Sequence, residues 1–203
     1  MGNREALLDG AKRCLYEKGY GRTTARDIAA ASGVSLAAIG YHFGSKDALM
    51  NTALLTAIGE WGEALGRALA GAGEQWTGPE ERFVGAWERV LQSFVEHRGL
   101  WAAQFEMMAQ IDHLPELRTA LGGVQREARL GLSAIFQGLP EVPDNETEIA
   151  RGAFYQALLA GLAAQWLVAP EQVPSGQDLF RGLRVLSADV LGGAAGAPEA
   201  EAN

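Results

Sequence analysis

Residue types suited to covalent or metal chemistry are sparse in this sequence. Its three histidines, His42, His97 and His113, each lack a partner at metal-ligand or proton-relay spacing. The lone cysteine, Cys14, lies in an apolar helical pattern and reads as a small core side chain, which leaves no disulfide framework and no multi-cysteine metal cluster. There is no phosphate-cradling glycine loop, no His-Glu-x-x-His and no nucleophile elbow, so neither catalysis nor a cofactor is expected. Two other groupings have chemistry. Glu106, Gln110 and His113 recur at i, i+4 and i+7, one helical face that could orient a polar ligand group or hold a metal, with a plainly solvated face as the competing reading. Large apolar side chains also crowd the stretch from Trp61 to Trp166. Aromatic and Met side chains with few polar groups are what a site for an apolar small molecule requires. Trp87, Phe94, Trp101, Phe105, Met108 and Trp166 are the candidates, with plain core packing the alternative for each.

The elements that must carry these residues read as helices throughout. Apolar positions recur at three and four, strand-like alternation is absent, and the expected class is all-α with about nine helices. Helices are expected over 3–18, 24–31, 35–42, 46–70, 79–96, 100–110, 115–137, from 145 or 147 to before Pro170, and 175–191. Thr24 and Asp27 form a capping box with Asp in place of Glu, Pro79 and Pro115 suit first helical positions, and Gly19, Gly33 and Gly44 punctuate the head. The expected organisation is a head over 1–47, a helical body over 48–191 and a disordered tail over 192–203. The nineteen positions from Gly152 to Pro170 carry no charge. Tyr155, Gln156, Gln165 and several Ala and Gly residues dilute them, so a helix buried between protein layers is expected rather than a membrane span.

Within the head, residues 24–43 read TARDIAAASGVSLAAIGYHF. Two short helices separated by a glycine turn match a helix-turn-helix. Ala29 is small where the helices would cross, Gly33 can take the positive φ of the turn, and Ile28, Val34 and Ile39 are spaced to anchor both helices on one core.

The wider segment EKGYGRTTARDIAAASGVSLAAIGYHFGSKDAL, residues 17–49, resembles the N-terminal signature of the TetR family of repressors. The resemblance is carried by Gly19-Tyr20, Thr24, Ile28-Ala29, Gly33-Val34-Ser35, Tyr41-His42-Phe43 and Ser45-Lys46-Asp47-Ala48-Leu49. It implies a transcriptional repressor that binds palindromic, double-stranded operator DNA as a homodimer and responds to a small effector. Thr24 would contact a phosphate, the helix from Ser35 to His42 would enter the major groove, and Tyr41, His42 and Lys46 would touch the backbone. Base-facing candidates are Ser35, Leu36, Ala37 and Ala38; the apolar ones can meet thymine methyls but cannot make bidentate hydrogen bonds. The remaining helices would hold the effector, expected to be a small apolar molecule, and the dimer seam, expected along the last two long helices.

One position departs from the family pattern. Gly40 stands where Tyr or Asn is usual, which removes a possible contact and loosens the helix by roughly 1 kcal/mol relative to Ala. Gly40 and the apolar reading face also support a rival reading, a helical ligand-binding or adaptor protein that no longer binds DNA. Charge favours the first. Net charge is −8, yet residues 1–50 hold seven basic and five acidic residues, and the rest hold ten basic and twenty acidic. A mildly basic head on an acidic body orients the head toward a polyanion. The N-terminus has no apolar stretch after its basic residue, so a cytoplasmic protein with no membrane association is expected.

Overall fold

A computed structural model describes residues 2–73 and 76–192. Among these residues the chain is entirely helical: α1 (Asn3–Lys18), α2 (Ala25–Ser32), α3 (Leu36–Phe43), α4 (Lys46–Gly73), α5 (Pro79–Glu96), α6 (Arg98–Ala109), α7 (Pro115–Gln137), α8 (Glu146–Val168) and α9 (Gly176–Gly192). Short 3₁₀ turns at Ile111–His113 and Pro170–Gln172 extend α6 and α8 by tighter hydrogen bonding where the following prolines end α-helical geometry. The expected tail, from 193 onward, lies outside the described residues.

Helix ends follow local chemistry. The Thr24 and Asp27 side chains cap each other's backbone N–H groups, which opens α2. Gly33 then closes it in the left-handed region (φ 70°, ψ 14°), donating its N–H to the Ala29 carbonyl. Asn145 caps α8 through its side chain, which accepts the Glu148 N–H.

The head is α1–α3, wrapped on Leu7, Ala11, Leu15, Ile28 and Ile39, each fully or almost fully buried. Its core continues along α4 through Leu49, Met50, Leu54 and Trp61 into the body, so head and body share one apolar cluster. In the body α7 packs on α8, and α9 lies on α5. The α7–α8 crossing depends on Gly152, where a Cβ would fall 1.9 Å from the Arg129 carbonyl oxygen. Beside it Glu148 is buried. Its carboxylate accepts from the Ser133 hydroxyl and from Gln137 at 2.8 Å and pairs with Arg151 at 3.3 Å.

Only one side of α8 is covered. Leu159, Leu162, Ala163 and Trp166 are buried, while Phe154 is 46 % and Val168 87 % exposed. The apolar residues of α9 also divide. Leu179 packs inward, whereas Leu186 and Val190 are exposed together with Val185 and Leu191. Among the described residues no helix is long and apolar enough to cross a membrane.

Candidate nucleic-acid interface and effector region

Helix α3 buries Ile39 and turns most of its other residues outward. Leu36 is 51 % exposed, Ala37 and Gly40 are exposed, and Tyr41 is 86 % exposed with no hydrogen-bond partner among the described residues. Ser35 precedes this helix in extended conformation, and its side chain makes no capping bond, so its hydroxyl is available to an outside acceptor. Ala38 is half-buried against the head core, which places it behind the outward face formed by Leu36, Ala37 and Tyr41. His42 is half-buried and meets Tyr41 edge-on at 4.9 Å. Phe43 anchors the helix end beneath the Arg4 guanidinium, 5.1 Å from its ring centre.

Two of the expected backbone contacts, Thr24 and Lys46, have internal polar partners. The Thr24 hydroxyl donates to Asp27 at 2.7 Å and accepts the Asp27 N–H at 3.2 Å. Asp27 also pairs with Lys18, and the hydrogen bonds from Lys18 and Thr24 hold its carboxyl far below the usual carboxylate range. Lys46, in the first turn of α4, lies 2.8 Å from its neighbour Asp47. Lys12 pairs with Glu60 at 2.7 Å, and the hydrogen bond that its ammonium donates to that carboxylate raises its pKa. All three lysines of the head thus face carboxylates.

Arginines supply what the lysines do not. Arg26, one turn into α2, is exposed and makes no ion pair or hydrogen bond among the described residues. Arg22 donates only to the Lys18 carbonyl, at 2.9 Å. Neither stood out in the sequence, although Arg26 follows Thr24 by two positions and shares its helix N-terminus.

The six expected ligand residues do not form one chamber. Phe94, Trp101 and Trp166 are buried in a cluster with Trp61, with Trp101 edge-on to Trp61 at 5.0 Å and to Phe94 at 5.1 Å. Trp87 is buried in a second cluster with Phe83, Phe136 and Tyr155. Phe105 is half-buried at the core edge, and Met108 is 52 % exposed. The indole N–H groups of Trp87 and Trp101 are buried with no acceptor among the described residues. A cleft of about 570 Å³ opens between the start of α5, the end of α7 and α8, lined by Trp76, Arg82, Phe83, Phe136, Arg151 and Tyr155 among others. None of the six expected ligand residues lines it. Helix packing consumes the surfaces of Trp87, Phe94, Trp101 and Trp166, while Phe105 and Met108 lie at the edge of the core.

The expected i, i+4, i+7 face is broken, because α6 ends at Ala109: Glu106 lies on the helix, Gln110 caps it and His113 falls in the 3₁₀ turn. Glu106 accepts the Gly21 backbone N–H at 2.9 Å, tying the body to the head, and Gln110 donates to the Glu106 carbonyl. No group of three potential metal ligands occurs among the described residues.

An exposed helix-turn-helix on a helical body with an aromatic interior defines the class: a one-component DNA-binding regulator. Residues 7–53 match the family model for bacterial regulatory proteins of the tetR family, and residues 79–181 match that for the C-terminal domain of BetI-type transcriptional repressors. The chain belongs to the TetR family of transcriptional regulators, and it is not an enzyme. A probable HTH-type transcriptional regulator of Pseudomonas putida, ArpR, is 26 % identical over 84 % of this chain and 82 % of its own. The HTH-type transcriptional repressor Rv1474c of Mycobacterium tuberculosis is 50 % identical, but over 23 % of this chain and only 25 % of that protein. The fold matches a crystal structure of a TetR-family regulator from Mesorhizobium loti with a TM-score of 0.65, at 16 % identity, over 94 % of this chain and 95 % of that one.

Proposed function

We propose that the protein is a repressor that binds a palindromic operator as a homodimer and leaves it when a largely apolar small molecule binds the body. The observation that carries the DNA reading is the outward face of α3, where Ser35, Leu36, Ala37 and Tyr41 present exposed groups, with an exposed Arg26 on α2 that makes no ion pair among the described residues. A helix enters the major groove by such a face, with its N-terminal residues on base edges. Thr24, His42, Lys46 and Arg26 then meet phosphates, Lys46 by exchanging Asp47 for DNA. The domain division proposed from the sequence, head to 47 and body from 48, runs through the start of α4, which belongs to both.

The dimer reading rests on the apolar faces that one chain leaves open. Phe154 and Val168 on α8 and Val185, Leu186, Val190 and Leu191 on α9 expose large apolar side chains on the two helices that end the body. A second copy covers them by two-fold symmetry, and half-sites one helical turn apart, roughly 34–36 Å, then fall under the two heads.

The effector reading is supported by the cleft of about 570 Å³ in the body, lined in part by Phe83, Phe136 and Tyr155, a volume that suits a small molecule. A hundredfold loss of operator affinity requires a coupling of about 2.7 kcal/mol between the two ligands, with DNA weakening the effector equally. The test is selection of binding sites from random DNA, followed by mobility shifts with and without apolar compounds. Recovery of a palindrome bound by a dimer is the expected result; recovery of no sequence refutes the repressor.

A further inference from the structure

We propose that the cleft beside Tyr155 binds a planar aromatic carboxylate, with the ring among Trp76, Phe83, Phe136 and Tyr155 and the charge on Arg82 and Arg151. As the identity of the effector, this rests on the regulator reading above; as a binding site, it stands alone. The volume, about 570 Å³, is that of a small-molecule site. Its aromatic wall is ordered, since Phe136 and Tyr155 stack at 4.2 Å with an angle of 16° between their planes, and Trp87 backs Phe136 at 4.9 Å. Flat aromatic faces favour an aromatic guest by offset or edge-on stacking.

Charge selects the guest's other group. Two guanidinium side chains line the cleft, and among the described residues no carboxylate side chain does. Arg82 makes no ion pair among the described residues, and its Nη1 donates only to the Gln137 carbonyl, at 3.3 Å. Arg151 lies 3.3 Å from Glu148, but that carboxylate also serves Ser133 and Gln137. Glu81, at the lip, is turned to the N–H and hydroxyl of Thr77, both at 2.8 Å. Glu148 offsets Arg151, whereas Arg82 has no carboxylate partner among the described residues, so one positive charge in the cleft is uncompensated. A guanidinium fork fits a carboxylate through two parallel hydrogen bonds. An amine or a metal cation would meet repulsion.

A glycine shapes the lip. A Cβ at Gly85 would fall 2.6 Å from Trp76 Nε1, so the missing side chain there seats the Trp76 indole over α5.

Titration calorimetry of the full chain with 1-naphthoate and with its uncharged amide tests the proposal. The carboxylate should bind at least about tenfold more tightly than the amide. Arg82→Met should remove that preference and leave amide binding unchanged, and Arg82→Lys should restore part of it. Gly85→Val should weaken both compounds by displacing Trp76. Equal binding of the two compounds, no binding of naphthoate at millimolar concentration, or an unchanged preference in Arg82→Met would each overturn the proposal. Mobility shifts on selected DNA separate it from the regulator reading. Naphthoate that binds through Arg82 without releasing DNA keeps the site and refutes its effector role. Release by neutral compounds alone keeps the effector reading and overturns the carboxylate.

Discussion

The Glu106 carboxylate on α6 accepts the backbone N–H of Gly21, just after α1, at 2.9 Å across 85 positions of sequence. It joins a body helix to the segment that carries the head. Lys12 to Glu60 spans the same junction, and so does the Tyr16 hydroxyl beside His97 at 3.4 Å. Glu106→Ala should lower stability by about 1–2 kcal/mol, the worth of a charge-assisted hydrogen bond at a partly exposed site. Because the bond lies between effector region and head, the variant should also release DNA less completely on saturation with effector. Thermal unfolding and mobility shifts read the two effects. Wild-type behaviour in both would show that the bond couples nothing.

Lys46 and Asp47, 2.8 Å apart, make a prediction with two signs. Lys46→Ala should weaken binding to every DNA sequence and reduce the slope of log affinity against log salt by about one. Asp47→Asn should do the opposite at low salt, strengthening binding severalfold by freeing the ammonium from its neighbour. Salt titrations of both variants decide it, and an unchanged slope in Lys46→Ala removes Lys46 from the phosphate contacts.

Gly40 is exposed, its φ is negative, and a Cβ there would meet nothing within 4 Å. The glycine is therefore not required by packing. Gly40→Ala should stabilise the head by about 0.5–1 kcal/mol through a smaller loss of backbone entropy on folding. Denaturant unfolding measures this. A destabilised variant would mean that the helix departs from regular geometry at this turn.

Asp27 has a folded pKa held below its unfolded value by Lys18 and Thr24. A depressed carboxylate contributes stability above its unfolded pKa, near 4, and that contribution is lost as pH falls through the folded value. Asp27→Asn should thus flatten the acid limb of melting temperature against pH below about pH 5, with little change in its shape at neutral pH. An acid limb as steep as that of the wild type would show that Asp27 is not among the groups that set it.

Leu186 and Val190, 62 % and 70 % exposed on one face of α9, are the cheapest place to break a dimer. Leu186→Arg with Val190→Asp should give a folded monomer by light scattering and circular dichroism. Operator affinity should then fall by more than tenfold, because two linked heads bind at a high effective concentration. A wild-type dimer that survives both changes places the seam elsewhere.

Nearly every helix was legible in the sequence, because its signals act within about four residues. Thr24 caps α2 through Asp27, Gly33 supplies the left-handed turn, and Pro79 starts α5, and none of these needs a distant partner. The helix-turn-helix was legible for the same reason, whereas α8, expected to be buried between protein layers, is covered on one side only within the single chain. Side-chain partnership was not. The type of Lys46 says it can meet a phosphate, but only its rotamer beside Asp47 says what DNA must displace. Trp87 and Phe136 have the same composition signal and both are buried, yet the packing of α5, α7 and α8 sets Phe136 and not Trp87 at the edge of a cleft, and it brings Arg82 and Arg151 to that cleft from 69 positions apart. Local hydrogen bonding and periodicity are short-ranged and can be read along the chain. The space left between helices depends on how several of them approach at once, and only the tertiary structure decides it.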